Sequence, residues 1–290
     1  MGFADEWFLH PLIPGFEKEM IAEGMGIEEK EAEKLAETEN LPPHKVVEWC
    51  SEGREKKKIK KKFDYEDKKV LEVGCGRGYY TQFLTRESVS VCALDKMVGN
   101  RENHMWDEFK EVMKGHDIWD KVLLLQADAR DIPVPDDSFD IAACASFFRD
   151  MYPYDMQKEV IEEMNRVSEG LRIAVYVDKD LDRAQQNFYD QLELRKKAQK
   201  AFDAPEKHWS HVPFKVYEVK SWFEDVGGIE EYEFYDPDLK GEWAGNVELY
   251  IDELDETHPK KDQLVEELKK LNADIEKHGC KRPTLMLIWA

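Results

Sequence analysis

The chain has 290 residues, 42% of them hydrophobic and 36% charged, with a formal net charge of −21 at pH 7. That length buries one sizeable core with room for a helical annex, and that charge excludes a nucleic-acid-binding surface spread over the whole molecule. No apolar run approaches the roughly 20 residues a membrane helix needs, so no membrane partner is expected.

The opening stretch, MGFADEWFLHPLIPGF, places acidic residues early and prolines inside its apolar part, so a secretory leader is not expected. Trp7 and Phe8 stand where a myristoylation signal needs a small polar residue. The five cysteines (Cys50, Cys75, Cys92, Cys144 and Cys280) form no Cys-x-x-Cys pair. Neither a disulfide framework nor a zinc site is expected, and a reducing cytoplasm is the expected compartment. Abundant Glu and Lys with scarce Gln fit a thermophilic host.

Residues 16–62 read as helical, broken at Pro42 and Pro43. Their last part, GREKKKIKKKF, sets seven basic residues (Arg54, Lys56, Lys57, Lys58, Lys60, Lys61 and Lys62) against the single Glu55. Such a run reads either as a solvated helix face or, on so acidic a chain, as a phosphate-facing patch. From Lys68 the pattern alternates. KKVLEV, VSVCALD, KVLLLQADA, SFDIAACAS and LRIAVYV read as strands, with Cys92 and Cys144 as small buried hydrophobes inside them. GYYTQFLTR, NRENHMWDEFKEVMK and DMQKEVIEEMNRVSE read as the helices between.

A long helix follows over DLDRAQQNFYDQLELRKKAQKAF, then a helix over FKVYEVKSWFEDVGG closed by glycines. IEEYEFYD is a further strand, KDQLVEELKKLNADIEKHG a helix, and PTLMLIWA the terminal strand. Short apolar strands separated by helices indicate an α/β fold with a parallel sheet covered on both faces. The chain therefore divides into a helical extension over 1–62 and one α/β domain over 63–290, with helical insertions around 179–226 and 237–281.

KKVLEVGCGRGYYTQFL, Lys68 to Leu84, joins a strand to a helix through Gly74, Gly76 and Gly78. Glycine at such a turn lets backbone come close to a ligand. The spacing is G-x-G-x-G, with Tyr79 where a dinucleotide fingerprint has its third glycine. No Lys-Ser/Thr follows, which excludes a phosphate-cradling P-loop.

Glu72-Val-Gly-Cys-Gly-Arg-Gly78 resembles motif I of class I S-adenosylmethionine-dependent methyltransferases. Asp95, ending VSVCALD and followed by Lys96, resembles the acidic residue that holds the ribose hydroxyls. Asp128 and Ala129 in QADARDIPVPDDSFD resemble the pair that contacts adenine, Asp128 through the exocyclic amine and Ala129 through its backbone. SFDIAACAS resembles the fourth strand, which commonly begins Phe-Asp. The resemblance covers Lys68 to Asp178. It implies a doubly wound, mostly parallel sheet with an antiparallel terminal strand and S-adenosylmethionine as cofactor, held by Glu72, Gly74, Gly76, Gly78, Asp95, Lys96, Asp128, Ala129 and Ala145.

In such folds ligands bind at the carboxyl edge of the sheet. The acceptor-side candidates after the fourth strand are Ala145, Ser146, Phe147, Phe148, Arg149, Asp150 and Tyr152. Methyltransferases acting on base amines often carry a polar-Pro-Pro-aromatic segment here, and Ser146-Phe147-Phe148 keeps the polar and aromatic groups without the prolines. His208, Trp209 and His211 in HWSHVPF form a candidate lid, with too few ligands for a metal. Three readings follow, the first leading, the second its alternative and the third the least favoured. An RNA base methyltransferase, cytosine N4 of ribosomal RNA in its specific form, would use the basic run from Arg54 to Lys62. A small-molecule N- or O-methyltransferase needs no basic surface. A non-catalytic cofactor-binding scaffold would bind without turnover.

Overall fold

The protein is described from a computed structural model covering residues 55–76, 78–86, 88–96, 109–110, 113–114, 118–145, 147–148, 151, 156–201, 213–236, 251 and 257–290. Its strands are β1 (Lys69–Val73), β2 (Ser90–Asp95), β3 (Val122–Gln126), β4 (Ile141–Ala145), β5 (Leu171–Asp178), β6 (Phe214–Lys215), β7 (Glu231–Tyr235) and β8 (Thr284–Trp289). Its helices are α1 (Thr81–Leu84), α2 (Gln157–Val167), α3 (Arg183–Ala201), α4 (Val216–Ser221) and α5 (Lys261–His278). Residues 55–62 are helical as well.

The strands form one sheet in the order β3-β2-β1-β4-β5-β8-β7, with β6 also paired to β5. β1 to β6 pair in parallel, and β8 runs antiparallel to both β5 and β7. This is the class I methyltransferase-type architecture expected above. The segment over 214–228 is not one helix, however. Phe214 and Lys215 extend the sheet beside Val177 and Asp178, α4 is short, and a 3-10 turn over Glu224–Val226 precedes Gly227 at a φ of +99°. HWSHVPF lies outside the described residues except for Pro213 and Phe214.

Side chains along a strand alternate between faces, so each apolar run feeds two cores. One face carries Leu71, Val73, Cys92, Leu94, Ala142, Cys144, Ile173 and Val175, packed under Val160, Ile161, Met164 and Val167 of α2. The other carries Val70, Val91, Ile141, Ala143, Ala174 and Tyr176, packed with Leu84 and Tyr80 and with Ile59 and Phe63 from the basic segment. Ile59 is fully buried, a burial that stabilises by roughly 1.5–3 kcal/mol. The helical residues 55–62 thus close the second face of the sheet.

That packing divides the basic run by position. Lys57, Lys58, Lys61 and Lys62 are exposed, whereas Lys56 is buried and Glu55 fully so. Glu55 Oε2 accepts the Tyr176 hydroxyl at 2.5 Å and the Arg282 guanidinium at 3.3 Å, and Arg282 also donates to the Tyr176 oxygen at 3.1 Å. Arg282 is 1% exposed, so its charge depends on this carboxylate rather than on water.

Removing one partner of a buried ion pair strands the other. Glu55→Ala is expected to destabilise the fold by about 3–5 kcal/mol in chemical denaturation, against about 0.5 kcal/mol or less for the exposed Lys58→Ala. Equal effects of the two would show that the network contributes nothing.

Candidate functional site

The strand order reverses between β1 and β4, which opens a crevice at the carboxyl edge of the sheet. The last residue pair between these strands is Glu72 with Ala143, and beyond it Gly74 and Ala145 separate. The glycine turn follows. Gly74, Gly76 and Gly78 take φ values of +74°, +50° and +82°, in the left-handed region that favours glycine. The Gly74 and Cys75 N–H groups both donate to the Leu94 carbonyl, at 2.8 and 3.0 Å. The Gly76 N–H donates to Asp95 Oδ2 at 2.9 Å. The turn is thereby bound to the end of β2, and the two sequence features read separately become one constellation.

The outer glycines serve close packing within the protein. A Cβ on Gly74 would lie 2.1 Å from Cδ2 of Phe147, and one on Gly78 would lie 2.6 Å from Cε of Met113. Phe147, half-buried, therefore lies directly on the turn. Phe148 is fully buried instead, stacked at 5.2 Å on Trp222, so it belongs to the core and not to the wall of the crevice. Ser146, Arg149, Asp150 and Tyr152 lie outside the described residues.

Glu72 is 2% exposed and accepts the Thr81 hydroxyl at 2.5 Å. Burial pushes its carboxyl up to about 7, while the Thr81 hydrogen bond and the Lys56 charge pull the other way and Asp95 adds to the rise. Lys56 donates to the Ala145 carbonyl at 3.1 Å.

Ala129 is buried and Asp128 half-buried at the turn after β3. Asp128 is heavily engaged. Arg130 holds it through Nε at 3.0 Å and NH2 at 2.7 Å, the Arg130 backbone N–H adds 3.0 Å, and Lys96 Nζ approaches at 3.0 Å. The Arg130 guanidinium, ahead of every other influence, holds the Asp128 carboxyl well below the usual carboxylate range. The structure thus brings Lys96 to Asp128 and joins them through the space above β2 and β3. Sequence reasoning missed Arg130, whose signal was the spacing Asp-x-Arg within one turn. It also missed Lys56 and Thr81, whose partners are reached only through tertiary packing.

Residues 70–169, from β1 to just past α2, match a family model described as a methyltransferase domain. Among solved structures, a cyclopropane-fatty-acyl-phospholipid synthase-like protein from Lactobacillus casei is 12% identical with a TM-score of 0.56, the likeness covering 83% of this chain and 90% of that one. The [4+2]-cyclase SpnF is 14% identical with a TM-score of 0.52, over 82% of this chain and 80% of that one. A putative methyltransferase from Bacillus halodurans is 15% identical with a TM-score of 0.50, over 81% and 96%. At such identities the likeness is one of fold. Comparison with curated proteins gives no sequence match.

The matched domain, the acidic-x-G-x-G-x-G turn and the acidic end of β2 together define the class: residues 70–169 form an S-adenosylmethionine-dependent methyltransferase domain on the class I fold. The donor set suits that cofactor, because a sulfonium and an ammonium call for carboxylates and a ribose for a hydrogen-bond acceptor, and Glu72 and Asp95 flank the turn. Among the described residues no helix is long and apolar enough to cross a membrane.

Gly74→Ala must push Phe147 aside and adopt a strained backbone, and Asp95→Ala removes the acceptor of the Gly76 N–H. Each substitution is expected to weaken S-adenosylmethionine binding at least about tenfold in titration calorimetry, the equivalent of losing about 1.4 kcal/mol. Wild-type affinity in both variants would place the cofactor elsewhere.

Proposed function

We propose that the protein methylates a small-molecule nitrogen or oxygen nucleophile held beneath a helical cap at the carboxyl edge of the sheet. The observation that carries this reading is the two-helix layer made by α3 and α5. α3 leaves the carboxyl end of β5, and α5 leads back into the start of β8, which lies at the same edge because β8 is antiparallel. The two helices share their own core of Leu194, Ala198, Leu264, Leu268 and Leu271, joined by Ile251 from the segment between them. Asn187 Nδ2 donates to the Gly279 carbonyl at 2.9 Å, and Arg183 pairs with Asp274 at 2.6 Å. β6 extends the sheet over the same edge, where Lys215 pairs with Asp178. In this reading the layer extends over the crevice, and a covered crevice suits a compact acceptor that must meet the methyl group in line and away from water.

In this reading Gly74, Gly76, Gly78 and Ala145 border the amino acid part of the cofactor, with Glu72 beneath it. Asp95 takes the ribose hydroxyls beside the Gly76 N–H. Ala129 and Asp128 meet the adenine, with Lys96 and Arg130 yielding part of their hold on Asp128. The bound cofactor supplies the reactive methyl group. The chain's own work is to orient the acceptor against it, with Phe147 as the wall beside the turn and Ser146, Arg149 and Asp150 as the polar groups that follow.

The alternative acceptor is an amine of an RNA base. The exposed Lys57, Lys58 and Lys61 favour it, since they present a short cationic strip beside the domain. Against it, Lys56 is buried, Lys62 is paired with Glu233 at 2.9 Å, and Phe148 is core. A base would then have only Phe147 of the two rings to stack on.

Transfer of labelled methyl from S-adenosylmethionine into an unmodified cell extract, with and without ribonuclease, separates the readings. Label in small, ribonuclease-resistant material is the expected result. Label in large material that ribonuclease destroys would overturn it in favour of RNA, and the absence of any transfer would favour a binding scaffold.

A further inference from the structure

Lys96 directly follows Asp95, the last residue of β2, and Asp128 directly precedes Ala129 in the turn after β3. The two strands pair as far as Asp95 with Gln126, and the Ala127 N–H donates to the Asp95 carbonyl at 3.2 Å. Just past that last step, Lys96 Nζ donates to Asp128 Oδ2 at 3.0 Å. An ion pair therefore bridges the two strand ends where the ribose and the adenine are proposed to lie.

The Asp128 carboxylate is saturated by its partners. An ionised carboxylate offers about four acceptor sites over its two oxygens. Oδ1 receives the Arg130 backbone N–H and Nε, each at 3.0 Å, and Oδ2 receives Arg130 Nη2 at 2.7 Å and Lys96 Nζ at 3.0 Å. A further donor must replace one already there. Arg130 is the harder to replace, since its planar fork grips both oxygens from two residues along the same turn. Lys96 meets one oxygen only, from a flexible stem whose side chain is 51% exposed. Its ammonium can return to water at little cost, because exposed ion pairs are weak.

We propose that Lys96 is a latch across the adenosine subsite: cofactor entry exchanges its ammonium for the adenine amine on Asp128, while Arg130 keeps the carboxylate in place. The proposal rests on the reading of Asp95, Asp128 and Ala129 as the nucleoside end of the cofactor site. The exchange makes Lys96 a competitor of the cofactor, so binding is weaker with the lysine than without it. Binding also grows firmer as salt rises, because ions screen the pair that has to open.

The test is titration of S-adenosylhomocysteine into the full chain over a salt series. The ammonium and carboxylate of this compound cancel, so a salt effect reports on the protein. Lys96→Met should bind about two- to fivefold tighter than the wild type at low salt, the change an exposed ion pair supports. Raising salt from about 0.05 to about 0.5 M shortens the screening length roughly threefold. Over that range the wild-type affinity should climb toward that of Lys96→Met, which should stay level. Lys96→Arg keeps the latch and should bind no tighter than the wild type. Lys121→Met, which removes an exposed cation at the start of β3, should match the wild type. The analogue with purine in place of adenine lacks the amine. For it the latch need not open, and Lys96→Met should bring no gain.

Weaker binding by Lys96→Met would show that the ammonium holds the cofactor, and unchanged binding at every salt concentration would show that the pair takes no part. Equal gains for the adenine and purine compounds would mean that the amine does not displace the lysine. Each of these results overturns the proposal. If Asp95→Ala still weakens binding, the cofactor-site reading then stands without the latch, whereas wild-type affinity in Asp95→Ala would sink that reading as well.

Discussion

Two neighbouring parallel strands that stop pairing are the constraint from which the site follows. β1 and β4 run side by side through Glu72 and Ala143 and then part, because the chain leaves them for opposite halves of the sheet. Backbone groups at the parting lose their ladder partners, and unsatisfied groups away from water are costly. The Leu94 carbonyl and the Asp95 carboxylate answer the N–H groups of Gly74, Cys75 and Gly76, and the Lys56 ammonium answers the Ala145 carbonyl. Parallel strands bring their carboxyl ends to a common edge, so Gly76, Asp95, Asp128 and Phe147 meet there although they are spread over seventy-odd residues.

The second determinant is charge under cover. Glu55, Lys56, Glu72 and Arg282 are all buried on one face of the sheet. Such groups add little net stability, since desolvation offsets most of their attraction, but each makes the others expensive to move. They tie the helical segment to β1, β4, β5 and the approach to β8. On a chain of net charge −21 the local balance is close to neutral: Glu55 and Glu72 against Lys56 and Arg282.

Much of this was legible in the sequence because its physics is local. β1, β2, β4, β5 and β8 announced themselves as apolar runs buried along most of their length, and the turn by three glycines that all prove to have positive φ. Asp95 was legible as the carboxylate ending a strand. What stayed hidden depends on approach between distant segments. Nothing in Phe147-Phe148 shows that one ring lies on Gly74 and its neighbour on Trp222, since that choice is made by Trp222, at the end of α4, packing against Phe148. Nothing in KKKIKKK shows that its first lysine is buried and its next two exposed. The helical expectation over 214–228 held for Val216–Ser221 but not at its start, where Phe214 and Lys215 pair beside Val177 and Asp178 and tertiary pairing overrode local propensity.

Hydrogen exchange of backbone amides with and without S-adenosylmethionine tests the central claim most directly, because it reports each segment in the intact chain. The account predicts slowed exchange on binding in three separate stretches: the turn from Gly74 to Gly78, the end of β2 at Asp95 and Lys96, and the turn at Asp128 and Ala129. Binding that left these amides unchanged while protecting another region would contradict it.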